Sequence, residues 1–416
     1  MIRWGKRFLV LSLILLIAVS LLGCEGNLEE KKGDVVIRWG IYADPARLEI
    51  AEKLVEVFEA EQPGIKVEVE ATPFAQYYEK LGSQIGAGTA YDIMMISGAY
   101  FSMIAPEGGF LNLDGLIEES NINLDEYTTE DANSKYNGGT YALPWELDIH
   151  GLFYNKDLFD KAGVPYPDEN WTWNDLLKTA KTLTKGKQWG FYSENHYPSW
   201  ISFIGQAGGS ILDRHGNVAI NESEAESAIE FMVDLIYKHK VSPAPGQLPE
   251  GVNPFHTGTV AMSIDGSYSI PPTLELDFDW DIAPLPKERK RAVAYWTQGL
   301  AIYSRTEHPE EAWEFMEFLV SKKGQELFAN THMATPSLIS VAQSEAYLAS
   351  GVDKNLKVFV DSYQYGEPVP FERFFEIMRG TDAAIQDPFS QAWRGEISAK
   401  AAVEIAAENI KNVLEH

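Results

Sequence analysis

Residues Tyr141–Asn155, which read YALPWELDIHGLFYN, are the stretch that decides how this chain folds. Both ends are apolar, so Tyr141–Leu143 and Gly151–Tyr154 are predicted to be short strands. Between them the residues alternate, which gives the stretch one apolar face and one polar face. The alternating residues are Trp145, Glu146, Asp148 and His150, with Leu147 and Ile149 between them. Two interpretations follow: a half-buried strand with a solvated face, or a crossover between two lobes that presents an aromatic ring and carboxylates to a cleft.

The second interpretation is favoured because the stretch resembles a segment of the extracellular solute-binding proteins of ABC importers. In carbohydrate-binding family 1 of that group, Y-A-L-P with a following aromatic residue, and then L-x-Y-N-K-D-L-F, mark the first passage between lobes. These motifs correspond here to Tyr141–Trp145 and Leu152–Phe159. Other matches, in the family's order along the chain, are Phe58–Val67, Thr259–Met262 with Asp265–Ser267, and Gly299–Ile302 with His308–Phe315. The resemblance extends over essentially the whole mature chain.

The resemblance implies an α/β fold of the maltose-binding-protein-like, two-lobe type II periplasmic-binding kind. Each lobe is expected to be a mainly parallel sheet flanked by helices, with the ligand cleft between the lobes. The expected boundaries are residues 35–144 plus 267–319 for the first lobe and 145–266 plus 320–416 for the second. Passages between the lobes are expected near Pro144–Glu146, Asp265–Ser267 and Leu319–Ser321. The resemblance further implies a monomer that delivers a sugar to the transmembrane subunits of an ABC permease.

The N-terminus has the composition of a secretory signal peptide, predicted over residues 1–23. Basic residues precede an apolar run, Phe8–Leu22, that is too short to span a bilayer as a stable helix. Leu21–Cys24 then resembles a bacterial lipobox, which implies that Cys24 is lipidated and becomes the first mature residue. Two or more acyl chains are enough for durable anchoring outside the cytoplasmic membrane, in the periplasm if the cell has an outer membrane. The alternative is a free thiol after an ordinary signal peptide.

The composition agrees with a large, acidic extracellular protein. Residues 24–34 are charged, have almost nothing to bury, and are predicted to be a lipid-anchored tether. About 380 residues follow, more than one core usually serves, which also indicates two lobes. The chain has 34 Lys and Arg against 61 Asp and Glu, a formal net charge of −27. Such a surface repels phosphate backbones and anionic headgroups, so nucleic acid is excluded as a partner and only Cys24 reaches the membrane.

Strand-like and helix-like segments alternate at the beginning of the mature chain. This alternation predicts βαβ units and a mainly parallel sheet. Ligands of such sheets bind beyond the carboxyl ends of the strands. Tyr42 and Asp44 follow the first predicted strand, and Ser97 follows the third.

Candidate ligand-binding residues are chosen for the chemistry of sugars, which offer C–H patches to aromatic rings and paired hydroxyls to planar polar groups. The stacking candidates are Trp145, Trp200, Tyr268 and Trp296, and packing inside the protein is the alternative for each. The polar candidates are Asp44, Glu146, Asp265, Ser267 and, from the second lobe, Arg373. Only one of Glu146 and Asp148 is expected to reach the centre of the cleft. A solvated surface position is the alternative for each carboxylate.

Motifs for other chemistries are missing from the sequence. It has no phosphate-binding Gly-x-x-x-x-Gly-Lys motif, no His-Glu-x-x-His motif and no serine nucleophile elbow. Asp277, Asp279 and Asp281 resemble the beginning of a calcium loop, but Ile282 occupies the position that needs glycine. No catalytic residue, cofactor or metal is therefore predicted.

Two alternatives to a transport protein remain open at this point. One is a secreted glycosidase, which needs two carboxylates across the scissile bond, for example Glu146 and Asp265. The other is a sensory binding subunit with the same fold. Recovery of a bound oligosaccharide intact after prolonged incubation distinguishes a binding protein from an enzyme.

Overall fold

A computed structural model describes residues 34–43, 45–128, 134–249, 251–349, 351–368 and 382–415. The predicted signal peptide, Cys24 and nearly all of the predicted tether lie outside the described residues. Two of the candidate ligand-binding residues, Asp44 and Arg373, lie outside them as well.

The described elements are numbered in chain order. The strands are β1 (Val35–Tyr42), β2 (Ile65–Thr72), β3 (Ile93–Ser97), β4 (Lys135–Tyr136), β5 (Gly139–Thr140), β6 (Leu143–Asn155), β7 (Met262–Gly266), β8 (Trp280–Ala283), β9 (Val293–Ile302), β10 (Thr335–Pro336) and β11 (Gly366–Pro368). The helices are α1 (Pro45–Glu61), α2 (Phe74–Ala87), α3 (Gly98–Ile104), α4 (Asp114–Glu119), α5 (Lys156–Ala162), α6 (Trp173–Leu183), α7 (Tyr197–Ala207), α8 (Ser223–Tyr237), α9 (Ile270–Thr273), α10 (Pro309–Val320), α11 (Lys322–Ala329), α12 (Ile339–Ala342), α13 (Glu345–Leu348), α14 (Lys357–Ser362), α15 (Asp382–Trp393) and α16 (Ala399–Glu415).

Strand β6 runs through both lobes and is buried at every one of its 13 residues. Its first half, Leu143–Ile149, pairs antiparallel with β9 and, at Glu146 and Leu147, with β10. Its second half, His150–Asn155, pairs antiparallel with β7 and β8. The predicted crossover near Pro144–Glu146 is therefore part of one continuous strand. The interpretation with a solvated face is wrong, because no residue of β6 is exposed.

The first lobe contains a mixed sheet with the strand order β10-β6-β9-β3-β1-β2. Strand β1 pairs parallel with β2 and β3, as the alternation of strands and helices predicts. The pairs β3–β9, β9–β6 and β6–β10 are antiparallel. The sheet is therefore mixed rather than mainly parallel, because strands from distant parts of the chain enter it in the opposite direction. Trp39 of β1 lies in the core of this lobe, against Trp145 and Phe315.

The second lobe is built on the other ends of β6 and β9. Strands β7 and β8 pair with the second half of β6, and β11 pairs parallel with Val293–Tyr295 of β9. Helices α7 and α8 pack on each other, α16 packs on α8 and α15, and α7 covers β9. The ring of Trp173 in α6 stacks on Phe231 in α8, with 4.6 Å between the ring centroids. The apolar core of this lobe is continuous with that around Trp39 in the first lobe.

The first boundary that differs from the sequence prediction concerns residues 267–292, which are predicted for the first lobe. They pack in the second, because β8 pairs with Leu152–Asn155 and the amide of Lys287 donates to the carbonyl of Trp171. The chain returns to the first lobe within β9. The predicted passage near Asp265–Ser267 therefore lies in the second lobe, and β9 makes the return crossing.

The second difference concerns residues 320–348, which are predicted for the second lobe. Helix α11 packs on α1, and β10 pairs with the first half of β6, so these residues belong to the first lobe. The predicted passage near Leu319–Ser321 joins two helices of that lobe. The last crossing precedes α14, whose Phe359 contacts Phe153 in the second half of β6.

Trp145 lies at a β-bulge, where the register between β6 and β9 shifts between Pro144 and Glu146. Its side chain is 2% exposed and packs edge-on against Trp39 at 5.6 Å and against Phe328 at 5.1 Å between ring centroids. The bulge thus turns Trp145 into the core of the first lobe. This placement supports packing, the alternative to sugar stacking, for Trp145.

Replacement of Trp145 by Ala is expected to destabilise the protein by about 3–5 kcal/mol, because it leaves a cavity between buried rings. Equilibrium urea unfolding measures this loss. The matched control is Leu274→Ala, since Leu274 is 42% exposed and its truncation should change stability by less than about 0.5 kcal/mol. A Trp145→Ala protein as stable as this control would contradict the packing role.

Candidate functional site

The polar face of β6 supplies the centre of the site. Glu146, Asp148 and His150 occupy alternate positions and share one face, whereas Leu147 and Ile149 lie in the apolar core. All three polar side chains are buried, with at most 4% exposed. Burial of a carboxylate or an imidazole is costly unless partners satisfy it, so each of these groups calls for a partner.

Arg47 of α1 pairs with Glu146. Its Nη1 atom lies 3.0 Å from Oε1 and 2.9 Å from Oε2 of Glu146, and its guanidinium lies over the ring of Tyr42 at 5.5 Å. Burial raises the pKa of Glu146 to about 7, and the charge of Arg47 opposes this rise. Burial lowers the pKa of Arg47, but the charge of Glu146 raises it, and the net result is a pKa above the ordinary value. The pair fixes the beginning of α1 against β6.

Asp148 and His150 are only partly satisfied. The side-chain amide of Gln298 on β9 donates to Oδ2 of Asp148 at 3.0 Å. Oδ1 of Asp148, Oε1 of Gln298 and Nδ1 of His150 are buried and have no hydrogen-bond partner among the described residues. Burial raises the pKa of Asp148 and lowers the pKa of His150 to about 3, so this imidazole is neutral. Three polar atoms on neighbouring strands thus lack partners at one place.

Aromatic rings from both lobes surround this polar face. In the first lobe, Tyr78 of α2 stacks on Tyr100 of α3 at 3.4 Å between centroids. In the second lobe, Tyr197 of α7 lies 5.7 Å from Trp296 of β9, and Trp296 lies 5.3 Å from His150. Burial raises the pKa of Tyr197, and the charges of Asp148 and Tyr100 add to the rise.

A cavity of about 580 Å³ lies on the second-lobe side of this cluster. Tyr268 connects the two, because it lines the cavity and its ring lies edge-on to His150 at 6.1 Å. Asp265 and Glu194 face the cavity as well. Burial raises the pKa of Glu194 to about 7, and the charge of Asp265 adds to the rise. The cleft therefore continues into an acidic cavity.

The structure brings several of the predicted residues together. Tyr42, Glu146, Asp265, Tyr268 and Trp296 all lie at the polar face or at the adjoining cavity. Contact of these residues with a ligand stays a prediction.

Other predicted residues have structural partners. Trp200 is fully buried and packs edge-on against Phe389 at 5.2 Å, which supports core packing. The Ser267 hydroxyl donates to the carbonyl of Leu147 at 3.3 Å, and the amide of Ser97 donates to the hydroxyl of Tyr78 at 3.0 Å. Ser97 thus holds Tyr78 in place, and its contact with a ligand stays a prediction.

Some residues of the site escaped the sequence analysis. Arg47, Gln298, Tyr197 and Glu194 were not among the candidates, because helix and strand patterns alone do not show which side chains face a cleft. Asp148 shares the alternation of Glu146, so its place on this face was predictable. Glu146 is paired with Arg47, whereas Asp148 keeps an oxygen without a partner among the described residues. That only one of the two carboxylates reaches the centre of the cleft stays a prediction.

The sequence profile of the bacterial extracellular solute-binding proteins matches residues 42–326. The chain belongs to this family. The galactooligosaccharide-binding protein of Bacillus subtilis is 24% identical to it over 98% of this chain and 97% of that protein.

Solved structures of solute-binding proteins have the same fold. An ABC substrate-binding protein of Listeria monocytogenes, in complex with cycloalternan, is 25% identical with a TM-score of 0.84, and the match covers 92% of this chain and 99% of that one. A solute-binding protein of Thermotoga lettingae bound with alpha-D-tagatose is also 25% identical, with a TM-score of 0.79 over 92% and 100% of the two chains. The predicted two-lobe, maltose-binding-protein-like fold is thereby confirmed.

Glu146→Gln is expected to destabilise this solute-binding protein by about 3–5 kcal/mol, because it leaves the buried guanidinium of Arg47 without its counter-charge. Urea unfolding measures the change. The control is Glu49→Gln, which removes the exposed pair between Glu49 and Lys53 and should leave the unfolding midpoint in place. Equal midpoints for the two variants would show that the buried pair does not hold α1.

Proposed function

We propose that this protein captures a carbohydrate, an oligosaccharide, in the cleft between its lobes and delivers it to the permease of an ABC transporter. The observation that carries the proposal is a set of buried polar atoms of Asp148, His150 and Gln298 that have no partner among the described residues and lie between aromatic side chains of both lobes. Buried polar atoms without partners are rare in folded proteins, so a ligand that completes them is the simplest explanation.

A sugar has the chemistry that such a site asks for. Its hydroxyls both donate and accept, so they can satisfy a carboxylate oxygen, an amide oxygen and a neutral imidazole in one ligand. Its C–H faces pack on rings such as Trp296 and Tyr197. The names of relatives point the same way, since B. subtilis proteins that match this chain bind galactooligosaccharides and arabinooligosaccharides.

The arrangement of the site supports the proposed delivery to a permease. Arg47 and Tyr100 come from the first lobe, Tyr197 and Tyr268 from the second, and β6 and β9 connect the two. A ligand that contacts both lobes binds the closed form more tightly than the open form, and this difference shifts the population towards closure. A permease can then distinguish a loaded protein from an empty one by its shape.

Hydrolysis of the sugar is not favoured by this geometry. The family consists of binding proteins. Glu146 is held by Arg47, and Asp265 accepts hydrogen bonds from the amide of Gly266 at 2.9 Å and from Asn253 at 2.8 Å. The two carboxylates are thus not poised to act together, one as proton donor and the other as nucleophile. A bound oligosaccharide should be recovered intact.

We further propose that lipidated Cys24 anchors the protein outside the cell. The proposal rests on the lipobox-like Leu21–Cys24 after an apolar signal-like run. None of the helices in the described part of the chain is long and apolar enough to cross a membrane.

A panel of galactotriose, arabinotriose and maltotriose is expected to contain a sugar that raises the melting temperature, because ligand binds only the folded protein. For that sugar, Trp296→Ala should weaken binding by roughly 1–3 kcal/mol, or about 5- to 150-fold, through loss of the ring contact. Isothermal titration calorimetry measures both affinities.

The matched control for Trp296 is Trp171→Ala, since Trp171 lies in the second lobe beside Phe159, away from the site. Its affinity for the sugar should equal that of the wild type. If Trp296→Ala binds as tightly as Trp171→Ala, the ring only packs the lobes.

Cys24→Ser should move the protein from the membrane fraction to the soluble fraction without a change in sugar affinity, because only the acyl chains hold it at the bilayer. Immunoblots of fractionated cells measure the distribution. A serine variant that remains at the membrane would show that another segment or a partner anchors it.

A further inference from the structure

The cavity beside Tyr268 is lined by acidic side chains. Among the described residues that line it, Glu194 and Asp265 are the only ones that carry a formal charge, and none is Lys or Arg. His196, which also lines it, has a pKa lowered to about 4 by burial and is neutral. The cavity is therefore negative without a compensating cation in the described part of its wall.

Polar atoms in the wall of the cavity also lack partners. Oγ of Ser263 has no hydrogen-bond partner among the described residues, and this side chain is only 3% exposed. Oδ1 of Asn195 is likewise buried and unpartnered within the described residues. This second observation is independent of the charges and indicates that a ligand with hydroxyl groups completes the wall.

The two carboxylates lie on segments of the wall that other residues hold in place. Asp265, at the end of β7, is held by Gly266 and by Nδ2 of Asn253. Glu194 lies in the segment before α7. Helix α15 holds this segment, because the indole N–H of Trp393 donates to the carbonyl of Ser193 at 2.9 Å. Because both segments are held by other residues, the acids cannot easily move apart when a ligand enters.

We propose that Glu194 and Asp265 determine specificity by charge: the cavity accepts a neutral sugar unit and rejects a unit that carries a carboxylate. This inference rests on the proposed function and names its substrate class more narrowly. Hydroxyls of a neutral unit donate to the acids and to Ser263, whereas a uronic acid brings a further negative charge beside the acids into a poorly solvated space. Two like charges repel strongly there, because the effective dielectric constant is far below that of water.

The test compares matched sugars that differ only in charge. Galactotriose is paired with trigalacturonic acid, and maltotriose with its derivative oxidised at C6 of the terminal unit, in calorimetric titrations. For a pair whose neutral member binds, the wild type should bind the acidic member at least about tenfold more weakly, as expected for like charges a few ångströms apart.

Variants then assign the discrimination to the two acids. Glu194→Gln, Asp265→Asn and the double variant keep the side-chain shapes and remove the charges. Each should improve the affinity for the acidic member, and the double variant should improve it by about tenfold or more. The control Asp277→Asn removes an exposed charge outside the cavity. Its ratio of affinities for the neutral and the acidic sugar should equal that of the wild type. Melting curves check that each variant is folded. If the double variant does not fold, either single variant is enough to test the inference.

The possible failures are separable. Equal affinity of the wild type for both members of a pair, or an unchanged ratio in folded single variants, overturns the specificity inference and leaves sugar binding intact. If neither neutral sugar of these pairs nor any sugar of the wider panel binds the wild type, the proposed function itself is overturned, and this inference with it.

Discussion

The structure depends on one strand that serves two lobes. Because β6 is buried along its whole length, its two faces must satisfy an apolar core and a polar cleft at the same time. Alternation achieves this: Leu147 and Ile149 pack inward, while Glu146, Asp148 and His150 face the gap where the lobes meet. The position of the site is thus fixed by the backbone of the sheet rather than by a mobile loop.

Placing charges on a buried strand face has an energetic consequence. Glu146 is compensated by Arg47, whereas Asp148 receives one hydrogen bond from Gln298 and keeps one oxygen without a partner in the described residues. The empty site therefore retains part of the desolvation cost of its polar groups. Under the proposed function, a ligand that supplies the missing donors and acceptors gains affinity from this incomplete satisfaction.

Much of the fold followed from local patterns in the sequence. The alternation in Tyr141–Asn155 and the order of the family motifs predict the crossing and the two-lobe architecture. The two short strands predicted in this stretch are one continuous strand, β6. Local patterns did not predict the lobe of segments whose place depends on pairing with distant strands. Residues 267–292 belong to the second lobe and residues 320–348 to the first. Trp145 and Trp200 are stacking candidates by the chemistry of their rings, yet a bulge and a helix turn them into the cores. Arg47 was missed because only the folded sheet brings α1 to Glu146.

The antiparallel pairing of β3 with β9 has a consequence for how the protein is made. These partners, such as Ile96 and Gly299, are separated by roughly 200 residues, and β10 joins still later. A growing chain that ends before residue 293 therefore has β3 as an open strand edge, which favours association with other chains. Both lobes need β9 to complete their sheets, so neither can finish folding before most of the chain has been translated. Slow folding, completed late and over both lobes together, is the behaviour that this topology dictates.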